Sequence, residues 1–350
     1  MTDSEVLDET LLRLHRTGPE FDGRLSNHAP MVVEAMVRRG HADNAERWVD
    51  WYASRLEEVP RPTLRIQRDD WRDALGDPSR LGDWLLFFSG ELEEQSWQDL
   101  LVSWWPRLLP GLAASATHSV IRIGHAVQVL RDGSESAQRI EEVGQCLAYW
   151  AARWLAISGA RVPDGQLDPV AAIEALPASG NHDAAFPDLL TSLESDPRWP
   201  GASSLLCATE DPHVARQQLV DLVTAATLHY RTHGHGNAIM LVHAATAPNA
   251  VLRVLPSLPT PLWPMSARAA WTASAAITTI YNPTTAVPNR DTPNPSHPAF
   301  APAEVFARAV EHRDEHVIKL TDTALDVLEW TKDARATDAV EVAMELIDRE

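Results

Sequence analysis

Apolar residues recur along most of the chain at the three- and four-residue spacing of an amphipathic helix. The segments "MVVEAMVRRG", "HADNAERWVDWYASRLEEV", "RLGDWLLFFSGELEEQ", "SWQDLLVSWWPRLLPG", "THSVIRIGHAVQVLRDG" and "AQRIEEVGQCLAYWAARWLAISG" carry it, and several stop on glycine, the usual residue just past a helix. The pattern resumes in "DPHVARQQLVDLVTAATLHYRTH", "NAIMLVHAATAPNAVLRVL" and "SARAAWTASAAITTIYN". A Pro- and Asn-rich loop, "NPTTAVPNRDTPNPSHP", then precedes a final pair of helices. Only "TLRIQ" alternates as a strand does. Residues 159–211 are richer in Pro, Gly and Asp and read as a long connection with one or two short helices. There is no fixed-period repeat and no clear linker. The expectation is an all-α protein: a single compact multi-helix domain over residues 1–350 with a Pro/Gly-rich central connection.

One predicted helix breaks the apolar rule. In "EHRDEHVIKLTDTALDVLEW", residues 311–330, Val317, Ile318, Leu320, Leu325 and Leu328 lie on or beside the buried face, yet His316 and Lys319 share that neighbourhood. A lysine there either snorkels to water or is held inside for a reason.

Composition narrows the class. A hydrophobic content of 45% is ample for a core. Forty-nine acidic against thirty basic residues give a net charge of −19, which repels nucleic acid and anionic membrane surfaces. Cys146 and Cys207, both in helical or apolar context, cannot build a disulfide framework and point to a reducing compartment. The N-terminus has no apolar signal region, and no stretch approaches eighteen uncharged apolar residues. A soluble, cytoplasmic protein with no nucleic-acid or membrane partner is expected.

Common catalytic signatures are missing: the chain has no G-x-G-x-x-G, no G-x-x-x-x-G-K-[ST], no G-x-S-x-G and no C-x-x-C. Histidine is abundant instead, with fourteen. His312 and His316 are four apart, but "RDE" between them lacks the order of a zincin helix. His229 and His233 share that spacing and read as a solvated, cationic helix end. "HAD" at 41–43 and "HRD" at 312–314 match half of a facial iron triad, but residues two apart on a helix point in nearly opposite directions. Thirteen tryptophans at helical spacing read as core before they read as a ligand pocket. What remains is single histidines on apolar helix faces: His28, His118, His125, His243 and His316. Imidazoles converging inside a helical protein point to a bound metal.

The strings "SNHAPM", "W..ALGDPSRLGDW", "WWPRLLPGLAASATHSVIRIGHAV", "LVHAAT" and "DEHVIKL", from about residue 10 to 330, together resemble the questin oxidase family. Its members oxidise aromatic polyketides such as anthraquinones. They have been described as NADPH-dependent Baeyer–Villiger-type oxidases and as non-haem iron oxygenases whose iron is held by four histidines and a carboxylated lysine. The second description implies Fe(II) on His28, one of His118 and His125, His243 and His316, with Lys319 as the carboxylated residue. Two helical turns, roughly 10.5 Å, separate His118 from His125, which favours one of them as ligand. His118 is the expected ligand; His125 then serves catalysis, and Arg122 holds a phenolate or carboxylate of the substrate. The implied partners are a small aromatic substrate and O2. The alternatives are the NADPH-consuming oxidase and a non-catalytic helical binding protein.

Overall fold

A computed structural model describes residues 2–133, 135–178, 184–287 and 301–349. These form sixteen α-helices, several short 3-10 turns and one two-stranded hairpin. The all-α expectation holds. The strands are Glu20–Phe21 (β1) and Leu25–Ser26 (β2), paired antiparallel, and not "TLRIQ", which is irregular chain tied through its Thr63 and Leu64 amides to Asp83. The described residues fall into two compact units, Met1–Ala156 with Arg253–Leu262, and Ile157–Leu252 with Trp263–Glu350.

The first unit contains α1 (Asp3–Leu14), α2 (Ala29–Arg38), α3 (Ala42–Tyr52), α4 (Leu81–Glu94), α5 (Trp97–Leu108), α6 (His118–Asp132) and α7 (Ala137–Ala152). The chain starts α1 with a reciprocal cap: Thr2 Oγ1 accepts the Glu5 amide while Glu5 accepts the Thr2 amide. Helix α7 packs on α4, α6, α5 and α1, and α2 packs on α1, α3 and α6. Tryptophan fills this core. Trp84, Phe88 and Trp104 interlock with ring centroids 4.8–5.6 Å apart. Trp105 meets Trp150 edge-on, and the Trp150 indole N–H donates to the Gly111 carbonyl. Gly111 has no substitute there, because a Cβ would lie 2.3 Å from the Trp154 indole.

The second unit contains α8 (Pro169–Glu174), α9 (Phe186–Ser192), α10 (Trp199–Ser203), α11 (Pro212–His233), α12 (Ala238–Val254), α13 (Trp263–Tyr281), α14 (Pro302–His312), α15 (Glu315–Thr331) and α16 (Arg335–Leu346). The last residues of α12 are grouped with the first unit. The central connection therefore holds three short helices rather than one or two, and a Leu167–Leu206 bridge closes it. Val223, Val305, Ala324, Val327, Ala336 and Val340 form an aliphatic core from α11, α14, α15 and α16.

Several expectations need correction. The stretch 311–330 is two helices: Arg313 adopts a left-handed φ of 74° and Asp314 caps a fresh helix, accepting the amides of His316 and Val317. Ala238–Ser257 is, by length and composition, apolar enough to cross a membrane; 83% of its most apolar window is buried inside the protein. Cys207 is exposed and outside any helix, whereas Cys146 is buried in α7. His229 and His233 are half-buried and stacked 3.7 Å apart, with His229 on Asn282 Oδ1. Burial lowers His229 to about 4, so it is a neutral ring and not a cationic helix end. Of the Pro- and Asn-rich loop, residues 288–298 lie outside the described residues.

Candidate functional site

In the first unit His28 and His118 come together. His28 stands at the entry to α2, ahead of Pro30, and its ring meets His118 edge-on at 4.4 Å, with the two Nε2 atoms 2.7 Å apart. The partners of the other ring nitrogens fix the tautomers. His118 Nδ1 lies 2.5 Å from the Ser115 carbonyl, which can only accept, so His118 carries its proton on Nδ1. His28 Nδ1 lies 3.1 Å from Tyr52 Oη, which also receives the His28 backbone N–H and stands 3.5 Å from the Ser26 carbonyl. His118 Nε2 is therefore the acceptor of the 2.7 Å contact and His28 Nε2 its donor, which leaves His28 Nδ1 to accept from Tyr52.

The backbone around His118 is unusual. Ser115, Ala116 and Thr117 have φ values of 49°, 53° and 68°, three consecutive non-glycine residues in the left-handed region. Each costs about 1–2 kcal/mol relative to the right-handed helix.

His125, two turns along α6, has different company. Its Nδ1 pairs with Glu34, which also accepts Arg38 Nε at 3.0 Å, and Arg253 Nη1 stands 3.4 Å from both ring nitrogens. Arg122 is engaged by the protein's own carboxylate: Nε and Nη2 donate to the two oxygens of Glu142 at 2.5 and 2.8 Å. A substrate anion would have to compete with that buried fork. Glu142 also accepts His15 Nε2 at 2.8 Å. Burial opposes charge on both, yet Arg122 and His15 hold Glu142 down at about 2, and Glu141 and Glu142 lift His15 to about 9.

In the second unit His243, His316 and Lys319 form the other donor set. His243 is fully buried in α12, and its Nδ1 donates to the helix's own carbonyls, Ile239 at 3.0 Å and Met240 at 3.3 Å. The His316 ring, in the first turn of α15, lies 5.4 Å from that of His243. Asn249 holds α12 to α15, donating to Thr323 Oγ1 and Asp326 Oδ2. His312 is not part of the set: its Nε2 donates to the Ile347 carbonyl.

Lys319 does not snorkel. It is 1% exposed, and its Nζ has no hydrogen-bond partner among the described residues. Burial pushes its amine down to about 7, against the opposing pull of Glu315 and Asp314. His243 is held well below the usual imidazole range by burial, then by the charges of Lys319 and His316. Neutral imidazoles with their second nitrogen pinned by backbone or hydroxyl groups are the form in which histidine binds a metal. The His28–His118 pair of the first unit, and the His243–His316 pair with the Lys319 amine in the second, are each donors of the type that iron or zinc takes.

Sequence reasoning missed Tyr52, Glu142, Glu34 and the left-handed turn. Glu34 had a signal, a carboxylate within the apolar run "MVVEAM". Nothing in the sequence marked Tyr52 as the partner of His28, since the two are 24 residues apart.

Residues 26–134 match the family model described as questin oxidase-like. This stretch carries His28, His118, Arg122 and His125, and the match bears out the resemblance there and points to an oxidoreductase. No curated protein gives a significant match to the chain.

Proposed function

We propose that this protein is a non-haem iron oxygenase that opens a ring of an anthraquinone-like polyketide, with Fe(II) held by His28, His118, His243, His316 and Lys319 as its carbamate. The observation that carries the reading is Lys319: a long amine, buried without a hydrogen-bond partner and lowered to about 7, one helical turn after His316. Such an amine is costly to the fold unless it is used. In its neutral form it adds carbon dioxide with loss of a proton, which replaces a cation by an anionic oxygen donor. When bound, iron would supply the activation of dioxygen. Ser115, Ile239 and Met240 hold the Nδ1 protons of His118 and His243, which makes Nε2 the coordinating atom of each. His125, oriented by Glu34, is the assigned proton acceptor for a phenolic substrate.

The test uses protein purified without a His-tag and kept reduced. About one iron per chain is expected, together with O2 consumption that depends on a hydroxylated anthraquinone and not on NADPH. Absence of metal and of Fe(II) uptake would sink the proposal. NADPH oxidation by metal-free protein would instead favour the Baeyer–Villiger reading.

A further inference from the structure

His118 and His243 make the same contact in different ways. Each gives its Nδ1 proton to a backbone carbonyl three or four residues earlier. His243 finds those carbonyls in the preceding turn of its own helix. His118 is the first residue of α6 and has no preceding helical turn. The left-handed segment Ser115–Ala116–Thr117 occupies that place and swings the Ser115 carbonyl back to 2.5 Å from the ring. Elsewhere the chain uses glycine for several such φ values, at Gly23, Gly40, Gly76 and Gly159. Here it uses three residues with a Cβ, which confine the turn more tightly than glycine would.

We propose that the left-handed turn 115–117 is a positioning element for His118, with Ala116 at its centre: it locks the Nδ1–H tautomer and aims Nε2 at His28. Its relevance to a metal rests on the function proposed above, but the tautomer lock is a property of the metal-free chain. Backbone strain at a functional site persists where the surroundings over-determine it. The fully buried Thr117 and Ser119 on either side of His118 supply that confinement.

The test is Ala116→Gly, beside Ala116→Asn, which retains a Cβ and tolerates the left-handed region. Ala116 is half-buried, and glycine takes its φ without penalty, so the fold is not at risk. For the glycine variant the metal-free melting temperature should stay level or rise. The 15N spectrum of His118 should change from the pure Nδ1–H tautomer to a mixture. Anaerobic Fe(II) affinity should fall about 10- to 100-fold, the usual effect of loosening a ligand's support. Ala116→Asn should stay close to wild type in all three. Unchanged tautomer and affinity in the glycine variant, or a lower melting temperature, would overturn the proposal. A wild type that takes no Fe(II), with His118 still locked and released only by glycine, would end the metal reading and leave the positioning role standing.

Discussion

Each unit buries a basic side chain, and the two are treated in opposite ways. Arg122 in the first is held by charge: two of its nitrogens fork onto Glu142, with Nη1 alone lacking a hydrogen-bond partner among the described residues, and Glu142 takes His15 on its other side. Lys319 in the second is equally buried but has no hydrogen bond to its amine among the described residues. A buried charge with complementary partners can be part of the architecture. A buried amine without them weakens the architecture, and its presence calls for a use. The difference separates a group that supports the fold from one that the fold supports.

The sharpest way to break this contrast is to remove the guanidinium. Arg122→Met should destabilise the metal-free protein by about 3–5 kcal/mol in urea unfolding, because Glu142 stays buried without its main partner. A loss under roughly 1 kcal/mol would show that Arg122 is not architectural, since that is the scale of an exposed pair.

A smaller effect is expected from pH. His15 is raised to about 9 from an ordinary 6.5, so its contribution is fully present below pH 6.5 and is lost as pH rises through 9. The wild-type unfolding free energy from urea titrations should fall across that window by an amount on the order of 3 kcal/mol, and His15→Gln should flatten the profile. A wild-type profile as flat as that of His15→Gln would mean that His15 carries no charge in the folded state.

The helical fold was legible because buried faces repeat with the helical period, and that pattern needs no knowledge of partners. His243 and Lys319 were legible for the same reason, as polar residues inside apolar runs. What sequence did not show depends on chain separation or on backbone conformation. Tyr52 reaches His28 from the far end of α3. The turn at Ser115–Thr117 contains no glycine to announce positive φ. The break at Arg313 was hidden because "EHRDEH" continues the helical pattern through it, and only the capping role of Asp314 reveals a new start. Arg122, one turn from His118 in sequence, reads as a substrate clamp, and the carboxylate that engages it, Glu142, arrives from the next helix.

The central claim is that Lys319 is kept for binding rather than for folding, and Lys319→Met tests it most directly. Methionine fills a similar space, is not protonated and does not add carbon dioxide. Measured side by side on one preparation, iron content should fall to background while metal-free stability rises by about 1–3 kcal/mol, the cost of an unsatisfied buried polar group. Full iron occupancy in the variant, or a loss of stability comparable to that of Arg122→Met, would contradict the account.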